Sequence, residues 1–141
     1  MPAFLLKTEP GEYSYLDLAR DKVTTWSGVK NPAALIAIRS MKKGDAAFVY
    51  HTGDEKAVVG LAKVVTSAYE DPNQPGLNGR GEPKFAVVDL APVKAAKTRV
   101  TLAAIKADKR FAQFGLVKQS RLSAMPVPPE LERALREMAG F

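Results

Sequence analysis

The chain has 141 residues, of which 46% are apolar and 26% charged, values that are typical of a single globular domain and exclude a disordered chain. It contains no cysteine and one histidine, which excludes a disulfide framework and a thiolate zinc site. No apolar run approaches the roughly 20 residues of a membrane span, and the N-terminus lacks the pattern of a signal peptide. We therefore expect one domain over residues 1–141, without membrane contact, in the cytoplasm or in the nucleus of a eukaryote.

The positive charge is concentrated in one part of the chain. The net charge is +6, and residues 94–121 alone contain eight basic side chains and a single acid. Such a stretch attracts polyanions in a salt-dependent manner, which predicts contact with a nucleic-acid backbone. A solvated basic face that binds no polyanion is the alternative. The eight residues are Lys94, Lys97, Arg99, Lys106, Lys109, Arg110, Lys118 and Arg121.

The first third of the chain combines short strand and helix patterns. An apolar run over residues 3–7 leads into a Glu-Pro-Gly turn and predicts a strand. Ser14 is followed three residues later by Asp17, a spacing like that of a capping box, which predicts a short helix. Residues 24–26 are β-prone, and Asn31 followed by proline predicts the start of a second helix.

The middle of the chain is rich in valine and aromatic residues, which is typical of strands. We predict strands over residues 46–50, 57–65 and 85–90, with a hairpin loop between the first two. Residues 71–83 contain three prolines and three glycines, which predicts a loop. Gly60 interrupts the second of these strands, which indicates a close approach by another backbone or a ligand.

The last part of the chain is predicted to be mostly helical. Thr101 is expected to cap a helix over residues 102–107, and residues 108–116 continue as a short helical or irregular stretch. Residues 122–127 are predicted to be extended, and two prolines then open a final helix that reaches about residue 138. This order of elements predicts an α+β fold, in which a mixed sheet of five or six strands curls toward a barrel and is flanked by short helices.

Six short segments stand out by their order and spacing. They are Lys7-Thr8-Glu9-Pro10, Trp26-Ser27-Gly28-Val29-Lys30-Asn31, Met41-Lys42-Lys43-Gly44-Asp45, Phe48-Val49-Tyr50-His51-Thr52, Val59-Gly60-Leu61-Ala62 and Leu122-Ser123-Ala124-Met125-Pro126-Val127. Together they resemble the EVE domain family, and the resemblance extends from residue 4 to about residue 138. It implies a PUA-like pseudo-barrel, distantly related to the YTH domains, with an aromatic pocket that holds a modified nucleobase in DNA or RNA.

The resemblance also implies which residues form this pocket. Trp26 would stack on the base, the Ser27 backbone would receive its exocyclic amine, and Asn31 and Thr8 would help to read its edge. Stacking on an aromatic ring contributes roughly 1–3 kcal/mol per base, and a loop before a helix N-terminus is a suitable place for such a ring. The candidate pocket residues are Lys7, Thr8, Glu9, Trp26, Ser27, Asn31, Tyr50, His51 and Ser123.

Each of these residues also has a purely structural interpretation. A single tryptophan in a small domain is most often a core residue. Asn31 is in the position of a helix N-cap, and His51 at a strand end is typical of a hydrogen-bonded structural histidine. Lys7 and Glu9 share one face of the first predicted strand and could form a cross-strand ion pair.

The main functional prediction is a reader without catalytic residues, and two other functions stay open. Relatives of the ASCH type hydrolyse acylated cytidine with Thr, Lys and Glu, and Lys7, Thr8 and Glu9 supply these residue types. In a strand, however, Thr8 is expected to face away from Lys7 and Glu9. A module that binds a small ligand or a protein is the other alternative. We expect no metal and no cofactor, a monomer, and nucleic acid with a modified base as partner, with a separate nuclease or methylase as a second candidate partner.

Overall fold

The predicted elements are present in the structure, a computed structural model that describes residues 2–141. The strands are β1 (Ala3–Thr8), β2 (Thr24–Trp26), β3 (Ala46–His51), β4 (Ala57–Glu70), β5 (Ala86–Thr101) and β6 (Ala124–Val127). The helices are α1 (Tyr15–Asp21), α2 (Pro32–Ser40), α3 (Leu102–Ala107), α4 (Gly115–Lys118) and α5 (Pro129–Ala139), with a 3-10 turn at Lys109–Phe111 between α3 and α4. The predicted α+β class is confirmed.

Two strands are longer than the sequence pattern predicts. β4 continues to residue 70 and β5 to residue 101, whereas we expected them to end at residues 65 and 90. The prediction for the end of β5 was wrong, and the missed part of the strand contains Pro92. Pro92 lies opposite Ala62 at a register shift between β4 and β5, beyond the three residues that pair with β2. A missing N–H is tolerated at such an irregular position.

The six strands form one mixed sheet in the order β2-β5-β4-β3-β1-β6. β1 and β3 are parallel, and the other neighbouring strands are antiparallel. Helix α2 packs against β4, β5 and β6, although β5 and β6 lie near opposite ends of this order. The sheet must therefore curl around α2, which brings its two ends toward each other, as the predicted pseudo-barrel requires.

Both helix starts follow their sequence signals. Ser14 and the backbone and side chain of Asp17 form a reciprocal capping box at α1. The Asn31 side chain accepts hydrogen bonds from the first free N–H groups of α2, Ala33 N at 2.9 Å and Ala34 N at 3.1 Å. The small and aliphatic side chains of α2 face inward and are buried, which explains why the helix lies inside the curled sheet. In the part of the chain that the structure describes, no helix is long and apolar enough to cross a membrane.

Tyr15 anchors α1 to the sheet. Its backbone N–H donates to His51 Nε2 at 3.0 Å, and its hydroxyl donates to the Leu61 carbonyl at 2.7 Å. Its ring lies directly against Gly60, where a Cβ atom would come within 2.3 Å of the Tyr15 ring. The close approach predicted at Gly60 is therefore present, but the approaching group is an aromatic side chain and not a backbone or a ligand.

Candidate functional site

A cleft of about 400 Å³ opens where the two ends of the curled sheet approach each other. The end of β1 and the residue before β6 line one side, and β2 with the segment that leads into α2 lines the other. The volume falls within the range of about 300–1,000 Å³ that is typical of small-molecule pockets. The lining residues are Lys7, Thr8, Glu9, Glu12, Tyr13, Thr24, Thr25, Trp26, Ser27, Gly28, Val29, Lys30 and Ser123.

Trp26 belongs to both the hydrophobic core and the cleft. It is the last residue of β2, within the β-prone stretch 24–26, and is paired with Val88. Only 8% of its surface is exposed, and that part contributes to the cleft wall. The ring of Tyr13 meets the Trp26 ring edge-on, with 6.3 Å between the centroids. The interpretation of Trp26 as a core residue and its interpretation as a pocket residue are therefore compatible.

The short strand β2 is fixed to the sheet by a side-chain cluster. The carboxylate of Asp89 accepts hydrogen bonds from the hydroxyls of Thr25 at 2.8 Å and Tyr69 at 2.7 Å. Burial raises the pKa of Asp89, but the hydrogen bonds from Tyr69, Thr25 and Thr66 outweigh it, so its pKa lies below the ordinary value. This cluster keeps the edge strand that carries Trp26 in place.

Lys7, Thr8 and Glu9 all contribute to the lining of the cleft. Lys7 and Thr8 are the last two residues of β1, and Glu9 follows directly after the strand. The Lys7 ammonium donates to the Ser120 carbonyl at 2.8 Å, and burial lowers its pKa. The Thr8 hydroxyl donates to the Tyr13 carbonyl at 2.7 Å. Within residues 2–141, Lys7 and Glu9 form no ion pair.

The charges around the cleft balance. Lys7 and Lys30 contribute two positive charges, and Glu9 and Glu12 two negative charges. The Glu9 carboxylate accepts a hydrogen bond from the Gly11 N–H at 3.1 Å, which leaves it further acceptor capacity. The cleft therefore offers ammonium donors and carboxylate acceptors without a net charge. This combination suits an uncharged polar ligand better than a phosphate group.

Three of the predicted pocket residues do not line the cleft. Asn31 serves as the N-cap of α2, and Tyr50 is buried beneath Lys7, whose ammonium lies 5.9 Å from the ring centroid. His51 is 6% exposed and is held at both nitrogens, by the Tyr15 N–H and by the Glu55 carboxylate at 2.6 Å from Nδ1. The sequence pattern could not separate these supporting positions from contact positions.

Only two of the eight residues in the basic stretch lie beside the cleft. All eight are exposed, but Lys118 and Arg121 alone line the depression that adjoins the cleft at Asn31. Others have local surroundings elsewhere: Arg110 forms an ion pair with Asp108 at 2.7 Å, and Lys97 packs against Gly140. The stretch is continuous in sequence but is distributed over β5, α3, the 3-10 turn and α4.

Tyr13, whose ring adjoins Trp26 in the cleft wall, was not among the predicted pocket residues. Its hydroxyl donates to Asp21 at 2.9 Å, and burial raises its pKa. The available signal was the position of this aromatic residue directly before a helix N-cap, because the cap fixes the backbone at that point. Glu12 and Lys30 were also missed, since nothing in the sequence relates their segments to each other. Among residues 2–141, no group of three acidic or histidine side chains could hold a metal ion.

Comparisons with known proteins agree with this architecture. The sequence pattern of the EVE domain matches residues 3–138. Thymocyte nuclear protein 1 from Gallus gallus is 32% identical over 155 residues, a match that covers 90% of this chain and 64% of that protein. The chain thus spans somewhat less than two thirds of the length of this relative.

Solved structures give the same result. Rpa0253 from Rhodopseudomonas palustris is 37% identical with a TM-score of 0.88, over 99% of this chain and 94% of that one. Human THYN1 protein, solved in complex with DNA containing 5-methylcytosine, is 28% identical with a TM-score of 0.88, over 100% and 99% of the two chains. ASCH from Zymomonas mobilis is 16% identical with a TM-score of 0.61, over 96% and 94%, and shares the fold alone. By its sequence match and its fold, the chain belongs to the EVE domain family.

Proposed function

We propose that the chain is a binding module that recognises a modified nucleobase in DNA or RNA, without catalysing a reaction, and that 5-methylcytosine in DNA is the first ligand to test. The observation that carries this proposal is the cleft at Trp26, which combines aromatic surface with charged groups of both signs. The human relative solved with DNA that contains 5-methylcytosine supports the choice of ligand.

The cleft supplies the contacts that a cytosine derivative needs. The cytosine amine is a donor for which the Glu9 carboxylate or the Ser27 carbonyl could be the acceptor, and the cytosine carbonyl oxygen is an acceptor for Lys7. Val29 and the exposed part of Trp26 provide apolar surface for a methyl group. Stacking on the full Trp26 ring requires neighbouring groups to move, because only 8% of that residue is exposed. Tyr13 is a neighbour whose displacement would enlarge the platform.

The hydrolase alternative is less well supported. Lys7, Thr8 and Glu9 share the cleft, but a nucleophilic hydroxyl needs a base within about 2.6–3.2 Å. The Thr8 hydroxyl instead donates a hydrogen bond to the Tyr13 carbonyl, and neither Lys7 nor Glu9 forms a hydrogen bond with it in residues 2–141. An assay for release of cytidine from an acylated cytidine tests this alternative, with T8A as the control.

Equilibrium binding by fluorescence anisotropy tests the proposal. Two labelled 12-nucleotide DNA strands that differ only in one central 5-methylcytosine or cytosine are compared, each also as a duplex. One buried methyl group contributes about 0.8 kcal/mol, so we expect the methylated strand to bind about fourfold more tightly. Equal affinity for the two strands, in both forms and across a wider panel of modified bases, would contradict the proposal.

Two variants locate the binding site. Ser27 is exposed and lines the cleft, so S27F fills the cleft without altering the core and is expected to abolish the methyl preference. Thr98 is an equally exposed hydroxyl residue on β5 that does not line the cleft, so T98F is the matched control. Loss of preference in both variants would indicate a general effect of the added aromatic ring.

The remaining expectations about partners stay predictions. We infer that residues 1–141 act as a single monomeric domain, which size-exclusion chromatography with light scattering tests. A separate nuclease or methylase that uses the module for recognition is a further candidate partner. A cytoplasmic location, or a nuclear one in a eukaryotic cell, would give the module access to its nucleic acid.

A further inference from the structure

The exposed face of α2 continues from the cleft. Lys30 lines the cleft, and the next residue, Asn31, lines a shallow depression together with Ala33 and residues 118–122. Further along α2, Ile36 and Arg39 line a groove together with the loop at residues 78–82. Since Ala33, Ile36 and Arg39 are spaced by three, they lie in one row along the helix. The depression and the groove thus follow one another along α2.

The loop beside this groove is ordered by its own hydrogen bonds. The Asn78 side-chain oxygen accepts from Arg80 N at 2.9 Å and from Glu82 N at 3.0 Å. Arg39 donates to the Pro83 carbonyl at 2.7 Å and to the Lys84 carbonyl at 3.0 Å, which ties the loop to α2. Arg80 is therefore held on a fixed turn, with an exposed side chain that forms no ion pair within residues 2–141.

The charge of this face differs from that of the cleft. The cleft carries equal numbers of lysines and glutamates, whereas the depression and the groove carry Lys118, Arg121, Arg39 and Arg80 against the single acid Glu82. An uncharged base and charged phosphates require different surroundings. The neutral cleft suits the base, and the positively charged face directly beside it suits the phosphates.

We propose that the exposed face of α2 is the track for the phosphate backbone of the strand whose modified base occupies the cleft. From Asn31 to Arg39 the helix rises about 12 Å at 1.5 Å per residue, which is long enough to contact more than one phosphate of a strand. Arg121 and Lys118 contact the phosphates nearest to the bound base, and Arg80 contacts those at the far end. This proposal rests on the proposed function, because the base bound in the cleft fixes the position of the nucleic-acid strand along α2.

The salt dependence of binding tests the track. R80A and R121A are compared with wild type and with K106A, which removes an exposed lysine of the basic stretch that lies on α3 and lines neither the cleft, the depression nor the groove. The ligands are the single 12-nucleotide DNA strands with one central 5-methylcytosine or cytosine. Each lost phosphate contact lowers the slope of log K against log salt by about 0.7 for single-stranded DNA. We expect this reduction in R80A and in R121A, with weaker binding of both strands, and no change in K106A.

The salt dependence tests the phosphate track, and the preference for the methylated strand tests the proposed function. If R80A and R121A keep the wild-type slope while the methylated strand is still preferred, the track is wrong and the reader stands. If wild type shows no preference for the methylated strand or for any modified base of the wider panel, the proposed function fails, whatever the slopes are. Because Arg80 and Arg121 are exposed, both variants are expected to keep the wild-type melting temperature, and the charge reversals R80E and R121E are expected to enlarge the loss of affinity. Wild-type affinity in both reversals would also overturn the track.

Discussion

The contact between Gly60 and Tyr15 predicts a large effect from a very small change. In G60A the new methyl group would stand 2.3–2.5 Å from three carbons of the Tyr15 ring, where ordinary contacts are 3.4–4 Å. The ring must therefore retreat by about 1 Å. It cannot do so freely, because Tyr15 is held by its N–H at His51 and by its hydroxyl at the Leu61 carbonyl.

The expected loss follows from these restraints. Overpacking of a core position typically costs about 1–3 kcal/mol, and loss of the hydroxyl hydrogen bond adds about 1 kcal/mol. We therefore expect G60A to lower the free energy of unfolding by about 2–4 kcal/mol, a large share of the 5–15 kcal/mol that is typical of a domain. With a urea m-value of about 1.5 kcal/mol/M, the midpoint falls by about 1–3 M.

Urea unfolding followed by circular dichroism measures this loss. G79A is the matched control, because Gly79 lies in a loop where an added Cβ would meet no atom within 4 Å. That variant is expected to unfold within about 1 kcal/mol of wild type. If G60A unfolds at the wild-type urea concentration, the Tyr15 ring does not hold α1 against the sheet in the way described, and the anchoring of α1 must be reconsidered.

Three further predictions concern residues that support the cleft. N31A removes the N-cap and is expected to lose about 1 kcal/mol of stability, most of which N31S is expected to retain. N31A is also expected to keep the wild-type methyl preference. Loss of that preference in a folded N31A would identify Asn31 as a pocket residue. H51A leaves the buried Tyr15 N–H without its acceptor and is expected to lose at least about 1–3 kcal/mol in urea unfolding, whereas an unchanged midpoint would show that this bond contributes nothing. The pKa of Asp89 lies below its ordinary value of 3.8, so its stabilising contribution is present above that pH and disappears as the pH falls through the folded-state pKa. D89N is therefore expected to be less stable than wild type at pH 7 and to lose less further stability between pH 5 and pH 2.5; parallel pH profiles would contradict this role.

The local elements of this fold could be predicted from the sequence because their signals are local. Ser14 and Asn31 mark helix starts through side chains that reach only two or three residues along the chain. The end of β5 was not predicted, because its residues are held extended by pairing with β4 and by the register shifts in that pairing. Both are properties of the assembled sheet, which no window of sequence contains.

The composition of the cleft was only partly predictable for the same reason. Trp26 and Lys7 were identified through the family resemblance, but they come from opposite ends of the sheet, which the curl around α2 brings together. His51 carries the same residue type that a binding site would use, yet its two nitrogens are occupied by Tyr15 and Glu55. Only the three-dimensional arrangement distinguishes a supporting residue from a contact.

The fluorescence of Trp26 provides the most direct test of the central claim, that the cleft holds a modified base. Trp26 is the only tryptophan in the chain, so its emission reports on one wall of the cleft. We would titrate the protein with a trinucleotide that contains 5-methylcytosine and with the same trinucleotide that contains cytosine. The account predicts a saturable change in emission at a lower concentration of the methylated ligand, and no such change in S27F. Binding of the methylated ligand without any change in the Trp26 emission would contradict it.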